Sequence, residues 1–172
     1  MHRLHLLRHA KATRDSGYED NDRPLARRGR GAARAVGERL AKGLDGVDLV
    51  LCSSSVRTRE TADLFLAAFK PRPVIRFEDE LYLASAATLL HRLRRLEEGI
   101  GSVMVIGHNP GLHELAITLG DGKSEEYPEL ANGKFPTTAL ASFAVEGKWA
   151  ALDRRANALT AYATPKSLGI ED

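Results

Sequence analysis

The chain has 172 residues, of which 43% are hydrophobic and 28% are charged, a composition typical of a folded domain with a buried core. Its 25 basic and 23 acidic side chains leave a net charge of +2, too small to predict nucleic-acid binding through bulk charge. A single cysteine, Cys52, excludes an intramolecular disulfide and a zinc site built from several cysteines. No apolar run reaches the roughly 18 residues of a membrane span, and polar residues interrupt the only candidate signal peptide. We therefore expect one cytoplasmic domain over residues 1–172, without a membrane or nucleic-acid partner.

The first half of the chain alternates short apolar runs with segments of helical periodicity. Residues 4–7 form an apolar run that ends in Arg8 and His9, and this pattern predicts a buried strand. Residues 10–24 are polar and rich in turn formers, which predicts a loop over the end of that strand. The elements predicted next are a helix with Ala32, Val36 and Leu40 on one apolar face, a strand at 47–52, a helix that ends before Pro71, and a strand at 74–77.

The second half continues the alternation and then changes to antiparallel pairing. The elements predicted here are a helix at 86–98, a buried strand at 103–106, a helix with its apolar face at 112–119, and a strand at 138–145. Residues 120–136 lack periodicity and predict a loop or flap. Residues 149–152 are interpreted as the hairpin partner of the last strand, and the tail from Arg154 shows no clear pattern.

This order of elements, with strands and helices alternating and two strands at the end, predicts the fold class. Alternating strands and helices form a parallel sheet with helices on both faces. We therefore expect an α/β three-layer sandwich with a mostly parallel central sheet and an antiparallel C-terminal hairpin.

Polar clusters follow three of the predicted strands. The first strand ends in Arg8-His9, the second in residues 53–57, and the buried fourth in Gly107-His108-Asn109. The carboxyl ends of parallel strands share one edge of a sheet, where α/β proteins hold their ligands. Two arginines and two histidines are therefore expected to converge there.

Two arginines and two histidines in one crevice are suited to phosphoryl transfer. Guanidinium groups neutralise the outer oxygens of a phosphoryl group, and a neutral imidazole can attack it. His108 precedes Pro110 at the expected start of a helix, whose free N–H groups would add affinity for an anion. The sequence contains no Walker-type motif, and we expect neither a metal nor another cofactor.

The motifs at these strand ends resemble those of the histidine phosphatase superfamily, which has the phosphoglycerate mutase-like fold. Leu7-Arg8-His9-Ala10 is similar to the RHG-type motif, with Ala10 where Gly is usual. Ser53 to Arg57, followed by Thr61-Ala62, is similar to its S-x-x-x-R-x-x-x-T-A segment, and residues 107–111 to its second histidine motif. Residues 23–29 resemble the R-P-L-x-x-x-G segment of the SixA-type phosphohistidine phosphatases.

The resemblance implies a role for each matching residue. His9 would be the nucleophile that is transiently phosphorylated. Arg8 and Arg57 would bind the phosphoryl oxygens, and His108 would contact the same group and stabilise the transition state. Ser53 is grouped with the substrate-binding residues.

The proton donor is left open by the resemblance. Glu80 lies in a segment similar to the one that holds the acid of the mutases and some phosphatases, but it could equally be a solvated carboxylate. Asp15 and Asp22 are weaker candidates for the acid, and Arg23 is a candidate phosphate contact from the loop. A SixA-type enzyme does not need a strong acid, because the protonated imidazole of phosphohistidine is a good leaving group.

The substrate class has three open alternatives. The first is a phosphorylated histidine on a protein, such as a histidine phosphotransfer domain, which the short chain favours because an open pocket can admit a protruding side chain. The second is a small phosphoester or a mutase substrate. The third is a non-catalytic module that binds phosphate or phosphoproteins.

Overall fold

Six strands form one sheet in the computed structural model, which describes residues 1–44 and 46–172. The strands are β1 (His2–Arg8), β2 (Leu49–Ser53), β3 (Val74–Glu78), β4 (Ser102–Gly107), β5 (Leu140–Val145) and β6 (Ala158–Ala163). They lie in the order β3-β2-β4-β1-β5-β6. The first four pair in parallel, whereas β5 is antiparallel to both β1 and β6. The predicted mostly parallel sheet with an antiparallel C-terminal pair is confirmed.

Helices cover both faces of this sheet. They are α1 (Arg27–Leu40), α2 (Val56–Phe65), α3 (Ala86–Arg94), α4 (Gly111–Leu119) and α5 (Tyr127–Asn132). Apolar residues of α1 and α2 pack on one face, and those of α3 and α4 pack on the other. In the described part of the chain, no helix combines the length and apolarity that crossing a bilayer requires.

The central strand β1 contributes to both cores because successive strand residues point to opposite faces. Leu4 and Leu6 belong to the cluster that contains the α3 and α4 residues, and Leu7 belongs to the cluster that contains the α1 and α2 residues. Each of the three leucines is fully buried. This burial fixes the register of β1 and thereby places its last residues at the carboxyl edge of the sheet.

The partner proposed for the C-terminal hairpin is wrong. β5 pairs with β6, whereas the segment predicted as its partner forms the 3-10 turn Trp149–Ala151. Trp149 is fully buried, and its indole N–H donates to the carbonyl oxygen of Ile100, so this segment is anchored away from the sheet. β6 lies in the tail that shows no clear pattern, since it is an edge strand with partly exposed side chains.

Other elements also differ from the predictions. The helix expected at 86–98 ends at Arg94, although Leu96 remains buried beyond it. The loop expected at 120–136 contains α5, a helix of 6 residues. Its only buried residue is Leu130, so no periodic pattern indicates the helix.

Close packing between α1 and α2 depends on Gly37. A Cβ atom added there would lie 2.2 Å from the carbonyl oxygen of Phe65, a distance that backbone atoms cannot tolerate. Gly31 in the same helix has open space at the equivalent position. The two glycines therefore separate the effect of helix–helix contact from that of helix propensity.

We expect Gly37→Ala to destabilise the fold by about 1–3 kcal/mol, because the two helices must move apart. The control Gly31→Ala should stabilise it by about 1 kcal/mol through helix propensity alone. Urea unfolding of both variants measures the difference. Equal midpoints for the two variants would show that the α1–α2 contact is not a tight one.

A polar residue, His5, lies in the middle of β1 and is 5% exposed. Its Nδ1 is 2.7 Å from the hydroxyl of Ser142 on the neighbouring strand. Burial, together with the charge of Arg3, lowers the pKa of His5 from 6.5 to about 4. The unfolded chain therefore binds a proton between these two pH values that the folded chain does not bind.

Stability should accordingly fall as the pH decreases from 6.5 toward 4. In His5→Gln the slope of the unfolding free energy against pH over this interval should decrease by about one proton. Denaturant unfolding at several pH values measures the slope. His91→Gln, at an exposed helical position, is the control that should leave the slope unchanged.

Candidate active site

The carboxyl ends of β1, β4 and β2 lie side by side, because β4 is between the other two and all three are parallel. A cleft of about 740 Å³ opens at this edge. Arg8, His9, Arg57 and His108 all line it, and Arg23 joins them from the loop after β1. The residues expected at three separate strand ends therefore face a common space.

The backbone orients the imidazole of His9, which is 8% exposed. Its Nδ1 is 2.8 Å from the carbonyl oxygen of Ala10 and must donate, since a carbonyl can only accept. This leaves the lone pair of Nε2 free to act as a nucleophile. Burial, reinforced by nearby positive charges, lowers the pKa of His9 to about 3, so the ring is neutral at neutral pH.

Arg57 lies in the first turn of α2, where Ser55 caps the helix by accepting the N–H of Thr58. Its side chain is almost completely buried. Nη1 donates to the carbonyl oxygen of Asp20 over 2.7 Å, and Nη2 donates to the Asp20 carboxylate over 3.1 Å. Arg57 is thus held by the loop after β1 as well as by its own helix.

Arg8 is held from the opposite side of the cleft. Its Nη1 donates to the carbonyl oxygen of Phe135 over 3.1 Å, and the amide of Asn109 donates to the same oxygen over 2.8 Å. Within the described residues, the buried Nε atoms of Arg8 and Arg57 have no hydrogen-bond partner. Buried donors of this kind are expected to bind solvent or a ligand, and here both belong to the residues proposed to bind an anion.

Ser53 does not line the cleft, because it is fully buried behind His108. Its hydroxyl oxygen is 2.7 Å from Nε2 of His108, and Nη2 of Arg57 is 3.4 Å from Nδ1 of the same ring. A guanidinium can only donate, so Nδ1 is the acceptor and the Nε2 proton points to Ser53. Burial, followed by the charge of Arg57, lowers the pKa of His108 to about 4. The Ser53 hydroxyl is therefore bonded to the His108 ring and does not reach the cleft.

Thr61 connects the segment that follows His9 to the helix that carries Arg57. Its hydroxyl accepts the N–H of Ala10 over 2.9 Å and donates to the carbonyl oxygen of Arg57 over 2.7 Å. Ala10 itself is fully buried in a small cluster with Leu25 and Ala33. A methyl group is therefore accommodated at the position where the related motif usually has glycine.

Asp20 and Tyr82 also belong to the site, and neither is among the residues predicted from the sequence. The Asp20 carboxylate accepts hydrogen bonds from Tyr82, Arg57 and Arg23. The hydroxyl of Tyr82, followed by Arg57, lowers the pKa of Asp20 to about 2. The Tyr82 ring meets His108 edge-on, with 5.4 Å between centroids. The position of Asp20 three residues before Arg23 is a spacing that allows an ion pair, so the sequence could have indicated Asp20. No comparable spacing indicates Tyr82.

The three residues predicted as candidate acids do not line the cleft. Glu80 is tied to α3, with its carboxylate 2.7 Å from Nη2 of Arg95 and 3.5 Å from Nε of Arg92. Asp15 and Asp22 are exposed and do not line the cleft. No cluster of three or more potential metal ligands occurs within residues 1–44 and 46–172.

Comparison with known proteins agrees with this geometry. The histidine phosphatase superfamily (branch 1) matches residues 4–81. An uncharacterised protein of Mycobacterium tuberculosis is 35% identical over 162 residues, which cover 93% of this chain and 100% of the relative.

Two solved structures are also similar over nearly their whole length. Both are assigned as the phosphohistidine phosphatase SixA. The one from Nakamurella multipartitia is 31% identical, with a TM-score of 0.81, and covers 95% of this chain and 96% of its own. The one from Agrobacterium tumefaciens is 30% identical, with a TM-score of 0.79, and covers 95% and 98%.

The fold is accordingly phosphoglycerate mutase-like, since a structure of an α-ribazole-5'-P phosphatase also aligns with it at a TM-score of 0.69. Motif residues at the ends of β1 and β4 and in α2 line one cleft, and the similarity extends over almost the whole chain. The chain belongs to the histidine phosphatase superfamily and is of the SixA type.

Proposed function

We propose that this phosphatase hydrolyses phosphohistidine on a protein substrate through a phosphorylated His9, without a metal ion. The observation that carries the proposal is the orientation of His9. Its Nδ1 proton is bound by the Ala10 carbonyl, and its neutral Nε2 lies in a cleft with Arg8, Arg57 and His108. This arrangement combines a nucleophile with charge that can stabilise a phosphoryl group.

The reaction has two balanced steps. In the first, Nε2 of His9 attacks phosphorus and the bond from phosphorus to the substrate imidazole breaks. The electron pair of that bond returns to the ring nitrogen, and the imidazole leaves as a neutral molecule because its ring was protonated beforehand. In the second, water attacks the phosphorus on His9, the new P–N bond breaks, and inorganic phosphate is released. Arg8 and Arg57 neutralise the outer oxygens in both steps, and His108 supports this charge by accepting a hydrogen bond from Arg57.

The lack of an acid in the cleft favours phosphohistidine over a phosphoester. Among the described residues that line the cleft, Asp20 is the only carboxylic acid, and its pKa of about 2 keeps it ionised. Glu80 is paired with Arg92 of α3 and with Arg95, which follows that helix. An alkoxide leaving group needs a proton from such an acid, whereas the imidazole of phosphohistidine can take its proton from water before the bond breaks. The assigned activity of the similar SixA structures supports the same substrate class.

A phosphorylated histidine phosphotransfer domain should therefore be dephosphorylated efficiently, and a panel of small phosphoesters should react slowly or not at all. A phosphate-release assay with both substrate types measures the preference. Efficient hydrolysis of the panel with an untouched protein substrate would instead identify a small-molecule phosphomonoesterase. Retention of the phosphoprotein without any turnover would identify a binding module.

The intermediate can be tested in the same assay with radiolabelled substrate. His9→Ala should lose roughly 10³-fold or more in rate and all acid-labile label on the enzyme, because the nucleophile is absent. His91→Ala removes an exposed histidine from α3, and this variant should retain both the rate and the acid-labile label. Label that persists on His9→Ala would place the phosphorylated residue elsewhere.

The role of Ser53 leads to a second kinetic expectation. Ser53→Ala should lower kcat about tenfold with little change in KM, since a lost hydrogen bond of about 1.4 kcal/mol frees the His108 ring without removing a substrate contact. Ser53→Thr, which keeps the hydroxyl, should recover most of the rate. Ser54→Ala is the neighbouring control, because the Ser54 hydroxyl binds Asp79 outside the cleft. An increase in KM alone would show that Ser53 contacts the substrate directly.

A further inference from the structure

The helix α1 starts at the rim of the cleft. Ala26, the residue before its first turn, lines the cleft, and its N–H donates to the carbonyl oxygen of Lys11 over 2.9 Å. A Cβ atom at Gly29 would lie 2.0 Å from that same oxygen. The first turn of α1 is therefore packed directly on the loop that follows His9.

Arginines occupy the exposed side of this helix. Arg27, Arg30 and Arg34 follow the spacing i, i+3, i+7, so they form one stripe, which we call the arginine stripe. All three are exposed. Arg30 donates to the carbonyl oxygen of Leu25. Within the described residues, 1–44 and 46–172, none of the three arginines takes part in an ion pair.

The arginine stripe opposes the stability of the helix that carries it. The N-terminus of a helix has a partial positive charge, which acidic residues stabilise and basic residues destabilise. The first turn of α1 contains no acidic residue. Like charges three and four residues apart add repulsion. Residues that break a local rule in this way are typical of functional surfaces.

We propose that the arginine stripe is a docking surface for an acidic polypeptide segment next to the phosphorylated histidine of the substrate. The proposal rests on the proposed function, since the stripe starts where the cleft opens. Lys11 and Arg14 on the cleft rim continue the positive surface toward His9. An acidic segment beside the phosphohistidine would contact the stripe while the phosphoryl group lies between Arg8 and Arg57.

The chemistry favours a polypeptide over a single-stranded nucleic acid. Nucleic-acid grooves combine positive charge with aromatic side chains on which bases stack. In the described part of the chain, the cleft lining contains no Phe, Tyr or Trp. The overall charge of +2 further shows that the positive surface is local.

Two synthetic phosphohistidine peptides test the proposal. The two peptides have the same length. In the acidic peptide Asp and Glu flank the phosphohistidine, and in the neutral peptide Asn and Gln replace them. For the wild-type protein, kcat/KM should be at least about tenfold higher with the acidic peptide than with the neutral peptide. This difference should shrink as the ionic strength rises. Phosphoramidate ion, which lacks a flanking segment, measures the chemistry alone.

Charge-reversal variants assign the effect to the stripe. Arg27→Glu/Arg34→Glu should remove the preference for the acidic peptide, leave phosphoramidate hydrolysis unchanged, and raise the thermal unfolding midpoint because the helix dipole is then matched. The matched control is Arg39→Glu/Lys148→Glu, which makes the same change in charge at exposed positions. Arg39 is in the last turn of α1, and Lys148 follows the end of β5 that pairs with the start of β1. This control should keep the preference.

The outcomes separate this proposal from the function on which it rests. Hydrolysis of both peptides at equal rates by the wild-type protein would overturn the docking surface and leave the phosphatase activity intact. No hydrolysis of either peptide or of phosphoramidate would overturn the proposed function itself. Tight binding of a mixed-sequence single-stranded RNA that is lost in Arg27→Glu/Arg34→Glu would reassign the stripe to nucleic acid.

Discussion

The site depends on one hydrogen bond, from Nδ1 of His9 to the carbonyl oxygen of Ala10. This bond fixes the tautomer and directs Nε2 away from the backbone. It is effective only because Ala10 is itself held, since its N–H donates to Thr61 and Thr61 donates to the backbone of Arg57. His9, the proposed nucleophile, and Arg57, a proposed phosphate-binding residue, therefore share a support. A shift of α2 would move both together and preserve their relative positions.

The sheet explains why such a support is possible. β1 and β4 are the two central strands, buried on both faces, and their parallel register ends at Arg8 and Gly107. The next residues, His9 and His108, leave the sheet at the same level, with 5.3 Å between their ring centroids. The apolar residues earlier in each strand set this level. The catalytic geometry is thus a consequence of core packing more than of the loops.

Much of this could be predicted from the sequence because it follows from strong local patterns. The apolar runs of β1 and β4 and the polar residues directly after them indicate both the sheet and its functional edge. β6 could not be predicted, since an edge strand needs only one buried face and Leu159 is its one well-buried side chain. The Trp149 segment was misassigned because a buried aromatic residue is compatible with either a strand or an anchored turn.

The parts of the site that escaped prediction are those formed by contacts between distant segments. Asp20 and Tyr82 are 62 residues apart in the chain, and only the fold shows that they meet. The motif indicates Ser53, but only the fold shows that this side chain is buried behind His108 and bonded to its ring. Sequence patterns report which face of an element is buried, and they do not report what a buried polar group contacts.

The electrostatic costs of this fold are concentrated at one edge of the sheet. His9 and His108 are buried in their neutral form, and four arginines share a cleft in which, among the described residues, Asp20 supplies the single carboxylate. These groups oppose folding, and the apolar clusters on both faces of the sheet offset them. An anion with several oxygens removes much of the repulsion when it binds, because it supplies the negative charge that the cleft lacks. The same imbalance keeps Asp20 ionised and bound to Arg57 and Arg23, and among the described residues that line the cleft no other carboxylic acid lies beside it. Both conditions suit a substrate that brings its own negative charge and whose leaving imidazole can be protonated by water.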